Sequence, residues 1–447
     1  MNQMTTSLTS GSEKKAMILF SLPMIFGNML QQLYNVADTL IVGKILGSYA
    51  LAAVGSSYTI MVLLTSIILG MCMGSGIVFA QLFGAKRMDD LRTSIANSFI
   101  FVLSITIVIN IAAFFLLKNL MIWLNVPEEA APLTTEYLQL IFIGMIFVFI
   151  YNFFASALRS VGNTLVPLIF LGVSAVTNIG LDIFFIVVFH MGIAGAAVAT
   201  VISQAISAVA ITIYFFAKAK SICPKKYNLH YDKNLLSLII NNSILTSIQQ
   251  SIMNFGILMI QGLVNSFGVA ATAAFAAVVK IDAFAYMPAQ DFGNAFSTFV
   301  AQNYGAKEHK RIYNGSFAAL KISTCFCVIV SALVFMFAKP LMLLFVTPEE
   351  IEIIRIGVQY LRIEGACYVG IGILFLFYGF YRGLGKSQMS IVLTIVSLGS
   401  RVILAYILAP ISSIGLVGIW WSIPIGWILA DIIGALYLKS TKKDCYL

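Results

Sequence analysis

Twelve long apolar runs restrict how this chain can fold. Each is roughly 22 to 33 residues long, which exceeds the ~20 residues of a membrane-spanning α-helix and the ~10 of a membrane-spanning β-strand. Hydrophobic residues make up 60% of the 447 residues and charged residues 10%, whereas soluble domains contain about 25% charged residues. These values exclude a soluble enzyme, a disordered chain and a nucleic-acid-binding protein, and they predict an all-α polytopic membrane protein with twelve transmembrane helices. The predicted spans are 16–43, 50–81, 93–117, 133–157, 165–189, 192–216, 236–266, 270–302, 312–338, 354–380, 388–410 and 415–438.

Lysine and arginine are distributed unevenly between the loops. We place 19 of the 27 on one side of the membrane and four on the other, with four more inside spans. Because cytoplasmic loops carry the excess of Lys and Arg, this predicts that both termini and a basic linker at 218–233 are cytoplasmic in a cell-membrane protein. It also explains the net charge of +9 without a nucleic-acid partner. The first apolar run is too long for the core of a signal peptide, so we expect a first span and no cleaved leader.

The chain contains an internal duplication. Ala80–Lys86 recurs as Ala301–Lys307 at a shift of 221 residues, and Pro127-Glu128-Glu129 recurs at the same shift as Pro348-Glu349-Glu350. Each repeat holds six predicted spans, an even number, so both enter the membrane in the same orientation, as in parallel-repeat transporters with a central cavity. The predicted domains are an amino-terminal six-helix lobe at 1–217, a cytoplasmic linker at 218–233 and a carboxy-terminal six-helix lobe at 234–447.

Four polar residues fall at similar depth in the amino-terminal lobe. Asp38, Asp182 and Thr200 lie six to eight residues from an outer loop, which corresponds to about 9 to 12 Å of helix. Asn178 lies one turn from Asp182 on the same helix face. Ionisable groups inside spans are costly and indicate functional sites by default. These side chains offer oxygen ligands or proton acceptors, so they predict a site for Na⁺ or H⁺, with hydrogen bonding between helices as the simpler alternative.

The repeat provides an internal comparison for this set. The stretch of the second lobe that lies opposite Asp38, residues 255–258, contains no acid. We therefore expect the acidic site in the amino-terminal lobe alone. At a shift of 223 residues, Asn178, Asp182 and Thr200 map onto Arg401, Ala405 and Ile423.

The remaining charges inside spans are weaker candidates. Glu364 lies about 27 Å along a helix from the cytoplasmic end of its span, so we expect it at the outer interface, in a rim pair with Arg362. Lys280 and Asp282 are expected to be partly offset by each other or by neighbouring spans. Two deeper residues are candidates for a substrate cavity, Asp291 and Arg401.

Several kinds of chemistry have no support in the sequence. The six cysteines lack metal-binding spacing, and no GxxxxGK[ST] motif occurs, so we expect an ion gradient rather than a nucleotide as the energy source. The three histidines, His190, His230 and His309, fall on loops or cytoplasmic segments, which argues against an intramembrane enzyme. Pro23 and Pro288 are candidate helix kinks.

Two parts of the sequence resemble the multidrug and toxic-compound extrusion (MATE) family. The run Gln31-Gln32-Leu33-Tyr34-Asn35-Val36-Ala37-Asp38, with Val42–Gly47, looks like the first span of these transporters. Pro288–Gln290 and Ala301–Ala306 resemble their eighth span and the loop after it. The resemblance covers essentially the whole chain. It implies a monomeric antiporter, without enzymatic activity or cofactor, that exports organic cations and amphipathic drugs in exchange for Na⁺ or H⁺ by rocking of two lobes.

The polar pattern is most similar to the DinF-like bacterial branch, in which the equivalents of the four polar residues above form the cation site. One departure is Ala155, where that branch often has an asparagine. Another is that the glutamate of NorM-like members in span seven is absent, with Gln249 and Gln250 near the equivalent region. The resemblance therefore does not extend to a carboxy-lobe cation site. The cavity residues that it implies are Gln31, Tyr137 and Asn152, with Asn178 shared between the two sites. Tyr34 is a further candidate for the substrate cavity.

A lipid-linked oligosaccharide flippase is the alternative function, since such proteins resemble this family in overall fold. A flippase cavity usually needs several basic residues to bind pyrophosphate. Only Arg401, Lys280 and Lys321 are basic candidates inside the spans, so the sequence favours drug export.

Overall fold

The computed structural model describes residues 7–123, 126 and 129–440. Within these ranges the chain is almost entirely helical and contains no strand. A π-helical segment, Phe184–Val188, follows the fifth helix, and a short 3₁₀ turn, Lys226–Asn228, lies in the basic linker. The α-helices are α1 (Glu13–Leu46), α2 (Ser48–Gly84), α3 (Met88–Trp123), α4 (Ala131–Ser160), α5 (Leu165–Ile183), α6 (Gly192–Lys218), α7 (Lys233–Asn265), α8 (Val269–Gly305), α9 (His309–Leu343), α10 (Ile351–Gly365), α11 (Tyr368–Gly383), α12 (Ser387–Leu408) and α13 (Leu416–Ser440).

These helices provide twelve membrane spans. In the described part of the chain, eleven helices are long and apolar enough to cross a bilayer, and α10 and α11 form a further span that is bent by 52°. Each predicted apolar run coincides with one of these spans, so the predicted fold class is confirmed. The run at 354–380 is the bent one, and its break falls at Ala366 and Cys367, between the two helices.

Proline positions only partly predict where helices distort. Helices α1 and α8 continue through Pro23 and Pro288. A non-helical backbone conformation occurs instead at Phe337 in α9, with φ −102° and ψ 18°. Pro340 follows three residues later, and its ring and missing N–H disturb the preceding turn of the helix.

The duplicated sequence motif has the same backbone geometry in both repeats. Lys86 and Lys307 adopt left-handed conformations, with φ 58° and 59°. Their amides donate to the carbonyl oxygens of Phe83 and Tyr304 at 3.0 and 3.1 Å. Part of the second duplicated motif, Pro127 and Glu128, lies outside the described residues, as does Cys445. Three pairs of glycines with positive φ also follow the repeat: Gly47 with Gly268, Gly162 with Gly385, and Gly192 with Gly415.

The described residues group into two compact units. Unit 1 comprises residues 22–247, and unit 2 comprises residues 7–21 and 248–440. The chain therefore passes from one unit to the other inside α1 and again inside α7. The domain limits 1–217, 218–233 and 234–447 stay a prediction from chain order.

An aromatic core holds three helices of unit 1 together. The rings of Phe99 and Phe153 are 5.2 Å apart between centroids, which joins α3 to α4. Phe154 and Phe215, 4.7 Å apart, join α4 to α6. Aromatic pairs at such distances add about 0.5–1.5 kcal/mol each to the stabilisation from burial. Helices α4 and α6 are thereby fixed against each other.

Candidate functional site

Two carboxylates from different helices meet in unit 1. Asp38 lies in the last third of α1, and Asp182 is the penultimate residue of α5. Their carboxyl groups are close enough to share a side-chain hydrogen bond. Asp182 is fully buried and Asp38 is half-buried. The two acids predicted from the sequence therefore form one site.

An amide and two hydroxyl groups complete the site. Asn178, one turn before Asp182, donates its Nδ2 hydrogen to Thr200 Oγ1 on α6 at 3.4 Å. Tyr137 on α4 shares a side-chain hydrogen bond with Thr200 and interacts electrostatically with both acids. Asn178, Thr200 and Tyr137 are all buried. Four helices of unit 1 thus converge at the predicted ion site.

The site has more acceptors than donors. Apart from a proton shared between the acids, no protein donor satisfies Asp38 Oδ1, Asn178 Oδ1 or either carboxylate oxygen of Asp182, all of which are buried. An unsatisfied buried acceptor costs about 1–3 kcal/mol. Within the described ranges, no Lys or Arg is among the groups that act on the two acids, and no group of three His, Cys, Asp or Glu residues could hold a metal. The donor set suits a proton or Na⁺ that is taken up and released.

The predicted cavity residues differ in their relation to this site. Tyr34 on α1 hydrogen-bonds with the Gln31 side chain and lies within electrostatic reach of Asp38. Asn152 instead donates to the Val148 carbonyl of its own helix at 2.8 Å. The sequence analysis did not single out Tyr58 and Tyr151, which also interact with Tyr34.

The local backbone changes directly after Asp182. The five-residue π-helical segment begins at Phe184 and buries Ile186 in the same apolar cluster as Tyr137. A Cβ atom on Gly195 of α6 would lie 3.2 Å from Phe185 Cβ, so this glycine permits close packing of α6 against the segment. Single π turns inside helices are frequent at functional sites. No apolar pattern in the sequence predicted this one.

Unit 2 contains a second buried acidic cluster. Tyr368 Oη donates to Asp282 Oδ1, and Asp282 shares a side-chain hydrogen bond with Glu364. Glu364 also hydrogen-bonds with Tyr360, and the Arg401 guanidinium acts electrostatically on both acids. Asp282 and Glu364 are each 3% exposed and Arg401 is 8% exposed. Unlike the site in unit 1, this cluster contains its own cation.

The cluster corrects the expectation for Glu364 and decides between the two expectations for Asp282. Glu364 is buried rather than in a rim pair, and Arg362 lies over the Phe335 ring at 5.5 Å. The expected depth of Glu364 assumed a straight span, whereas the chain bends just after this residue. For Asp282 the structure favours the second of the two expected partners, the neighbouring spans, because Lys280 is exposed whereas Arg401 on α12 acts on the buried Asp282.

The two deeper cavity candidates both lie in unit 2. Arg401 belongs to the cluster with Asp282 and Glu364, and Asp291 is buried in α8. Neither is part of the polar site around Asp38. Their assignment to a substrate cavity stays a prediction.

Comparison with known proteins agrees with this architecture. The sequence profile of the MatE family matches residues 23–184 and 243–407. The probable multidrug resistance protein YpnP of Bacillus subtilis (strain 168) is 33% identical and covers 87% of this chain and 86% of its own length. The probable multidrug resistance protein YoeA of the same organism is 26% identical over 96% of this chain and 94% of its own. A solved structure, the outward-facing conformation of a multidrug resistance MATE family transporter of the MOP superfamily, has a TM-score of 0.93 at 24% identity, covering 100% of this chain and 99% of that one.

Proposed function

This chain belongs to the MatE family of membrane transporters, and from that premise we propose that it exports amphipathic and cationic small molecules in exchange for H⁺ or Na⁺. The observation that carries the coupling proposal is the pair of Asp182, which is buried, and Asp38, which is half-buried; in the described part of the chain no Lys or Arg acts on either acid. Buried carboxylates of this kind are unstable unless they are neutralised. Neutralisation by an ion from solution ties the stability of the site to the ion gradient.

The transport cycle follows from differential binding. An ion binds at Asp38 and Asp182 when the site is accessible from outside, where its electrochemical potential is higher. Neutralising the acids changes how α1 packs in unit 1, and the conformation with bound ion has lower affinity for the drug. Because such coupling is reciprocal, drug binding from the inside promotes release of the ion. We infer that rocking of two lobes exposes the site to each side in turn.

The choice between H⁺ and Na⁺ depends on how many oxygens gather around the ion. A proton needs only the two carboxylates, whereas Na⁺ also uses Asn178 Oδ1 and Thr200 Oγ1. These atoms converge at the site, so the donor set supports either ion. Tyr34 and Tyr137 act electrostatically on the acids, and Gln31 hydrogen-bonds with Tyr34. We propose these three residues, together with Asn152, as candidates for substrate contact.

The environment proposed for the protein is the cell membrane, with both termini in the cytoplasm, as the distribution of Lys and Arg favours. We propose a monomer without enzymatic activity, which needs no nucleic acid or cofactor. The flippase alternative gains no support from Arg401, because this residue is matched with two acids in unit 2.

Efflux of ethidium from cells without their own drug pumps tests this function. We expect the wild-type protein to export the dye under one of two gradients, Na⁺ or H⁺, and the gradient that supports export identifies the exchanged ion. Asp38→Asn should lose export under both. Asp90→Asn, at an exposed ion pair with Arg87, is the matched control. If the wild type is present in the membrane but moves no dye under either gradient, the drug-export proposal is wrong.

A further inference from the structure

An arginine of α9 binds the segment before α1. Arg311, in the first turn of α9, is 16% exposed and directs its guanidinium at the backbone of residues 8–11. Hydrogen bonds to backbone carbonyl oxygens fix the path of this segment and depend little on the identity of its side chains. The Arg311 donors reach the carbonyl oxygens of Gly11 at 2.8 Å, Leu8 at 3.2 Å and Ser10 at 3.4 Å.

A second side chain also binds this segment. Asn303, near the end of α8, donates to the Leu8 carbonyl at 3.0 Å and accepts from Arg311 Nε at 3.2 Å. The Leu8 side chain is fully buried, and Glu13 in the first turn of α1 lies 3.5 Å from the guanidinium. We call Arg311, Asn303 and residues 8–13 the N-terminal clasp.

The clasp acts on a helix that belongs to both units. Residues of α1 up to Ser21 group with unit 2, whereas Leu22 and the rest of the helix group with unit 1. Asp38 lies on this second part. One end of a continuous helix is thus tied to unit 2 while the other end carries half of the ion site in unit 1.

The other repeat is built in the same way. Arg92, in the second turn of α3, donates to the Ser221 carbonyl at 3.1 Å, and Asn228 donates to the Asp89 carbonyl at 3.3 Å. Ile222 is buried like Leu8. The helix that follows, α7, groups with unit 1 as far as Ser247 and with unit 2 beyond it. A feature present in both repeats is an element of the architecture rather than an accident of a terminus.

We propose that Arg311 and Asn303 are positioning residues for transport, which couple movement of unit 2 to the ion site through α1. The inference rests on the proposed function and adds the residues that carry the coupling. When the clasp is intact, displacement of unit 2 pulls or turns the start of α1. This changes the position of Asp38 relative to Asp182. Without it, the site in unit 1 still binds its ion, but binding no longer drives unit 2.

The test compares Arg311→Ala, Asn303→Ala and a deletion of residues 2–11 in proteoliposomes containing the purified full-length transporter. We expect each to lower the kcat for gradient-driven ethidium transport about tenfold, within the roughly 5- to 150-fold range of coupling effects, with KM and equilibrium ethidium binding unchanged. Arg311→Lys, which keeps the charge but has fewer donors, should recover part of the kcat. Arg87→Ala, an exposed arginine 60% accessible, is the control and should behave as wild type.

Three results separate the possible failures. Wild-type kcat in all three variants overturns the proposal. A lower yield or melting temperature with unchanged kcat per folded molecule also overturns it, because the clasp is then only structural. A second measurement separates a failure of the clasp proposal from a failure of the proposed drug export. Spin labels at Lys220 and Glu308 report the distance between the units. We expect a distance change with pH or Na⁺ in the wild type that Arg311→Ala abolishes, and a change that persists in the variant refutes the clasp even when no drug is moved.

Discussion

Each unit buries a pair of carboxylates, but only one pair is accompanied by a cation of the protein. In unit 2, Arg401 acts on both Asp282 and Glu364. In unit 1, no described Lys or Arg acts on Asp38 or Asp182. A proton shared within each pair leaves one negative charge, which Arg401 balances in unit 2. On our proposal the balancing charge in unit 1 comes from solution, as an exchanger requires.

The cation of unit 2 lies at a position of the internal repeat that has an uncharged residue in unit 1. Asn178 and Arg401 correspond at the shift of 223 residues. The acids themselves lie on unrelated helices, α1 and α5 in unit 1 but α8 and α10 in unit 2. The two clusters are therefore not copies of one site, although Asn178 and Arg401 occupy equivalent positions of the repeat.

The largest effect is expected when unit 1 loses an acid. Asp182→Asn removes one of the two carboxylates, so the site keeps only Asp38 as an acidic ligand for the exchanged ion. We expect gradient-driven ethidium export to fall about 100-fold or more, as when an obligatory interaction worth about 3 kcal/mol is lost. Efflux in proteoliposomes measures it, with Asp90→Asn as control. Export at wild-type rate would show that the exchanged ion binds elsewhere.

Giving unit 1 the cation of unit 2 tests the comparison directly. Asn178→Arg supplies an internal positive charge to Asp38 and Asp182, so these acids no longer need an ion from solution. We expect binding of ethidium without dependence on pH or Na⁺, and export reduced by about tenfold or more. Asn178→Leu, similar in size to asparagine and uncharged, separates the effect of charge from that of packing. If both variants lose the ion dependence equally, charge compensation at this position is not the cause.

Removing the cation from unit 2 should affect stability more than coupling. Arg401→Gln leaves Asp282 and Glu364 buried without a cationic partner, which costs about 3–5 kcal/mol. Thermal unfolding in detergent measures this loss. The double variant with Glu364→Gln should regain much of it, because the excess negative charge is then gone. Arg362→Gln, which disturbs only a contact with the Phe335 ring, should change stability by about 1 kcal/mol or less.

A double variant no more stable than Arg401→Gln alone would mean that Arg401 has another essential role. Retention of ion-dependent export by folded Arg401→Gln is the further expectation. Its loss would place part of the exchange in unit 2 and remove the distinction between the two clusters.

The sequence predicted one of these clusters and missed the other for a physical reason. Asp38 and Asp182 could be placed at equal depth because α1 and α5 are regular up to these residues. Glu364 was misplaced because a bend at Ala366 and Cys367 breaks the uniform rise on which depth depends. Nothing in the apolar pattern around that position distinguishes a bent span from a straight one.

Side-chain partnerships were also beyond the sequence. The twelve spans and the duplication follow from hydrophobicity and from motif spacing, which are local properties. The hydrogen bond from Tyr368 to Asp282 joins residues 86 positions apart, and the clasp joins Arg311 to Gly11 across 300 positions. Such contacts depend on how helices from distant parts of the chain pack.

The smallest expected effect concerns the hydroxyl group that supports the site in unit 1. Tyr137→Phe removes the hydrogen bond with Thr200 but keeps the buried ring that packs in the outer apolar cluster. A hydrogen bond of this kind contributes about 1 kcal/mol, so apparent ion affinity should fall only about fivefold. The measurement is the ion concentration that gives half-maximal export, with Tyr360→Phe in unit 2 as the matched control. Because Tyr360 supports a cluster that already has Arg401, its loss should leave the apparent ion affinity unchanged. Equal shifts in the two variants would mean that both clusters take part in ion exchange.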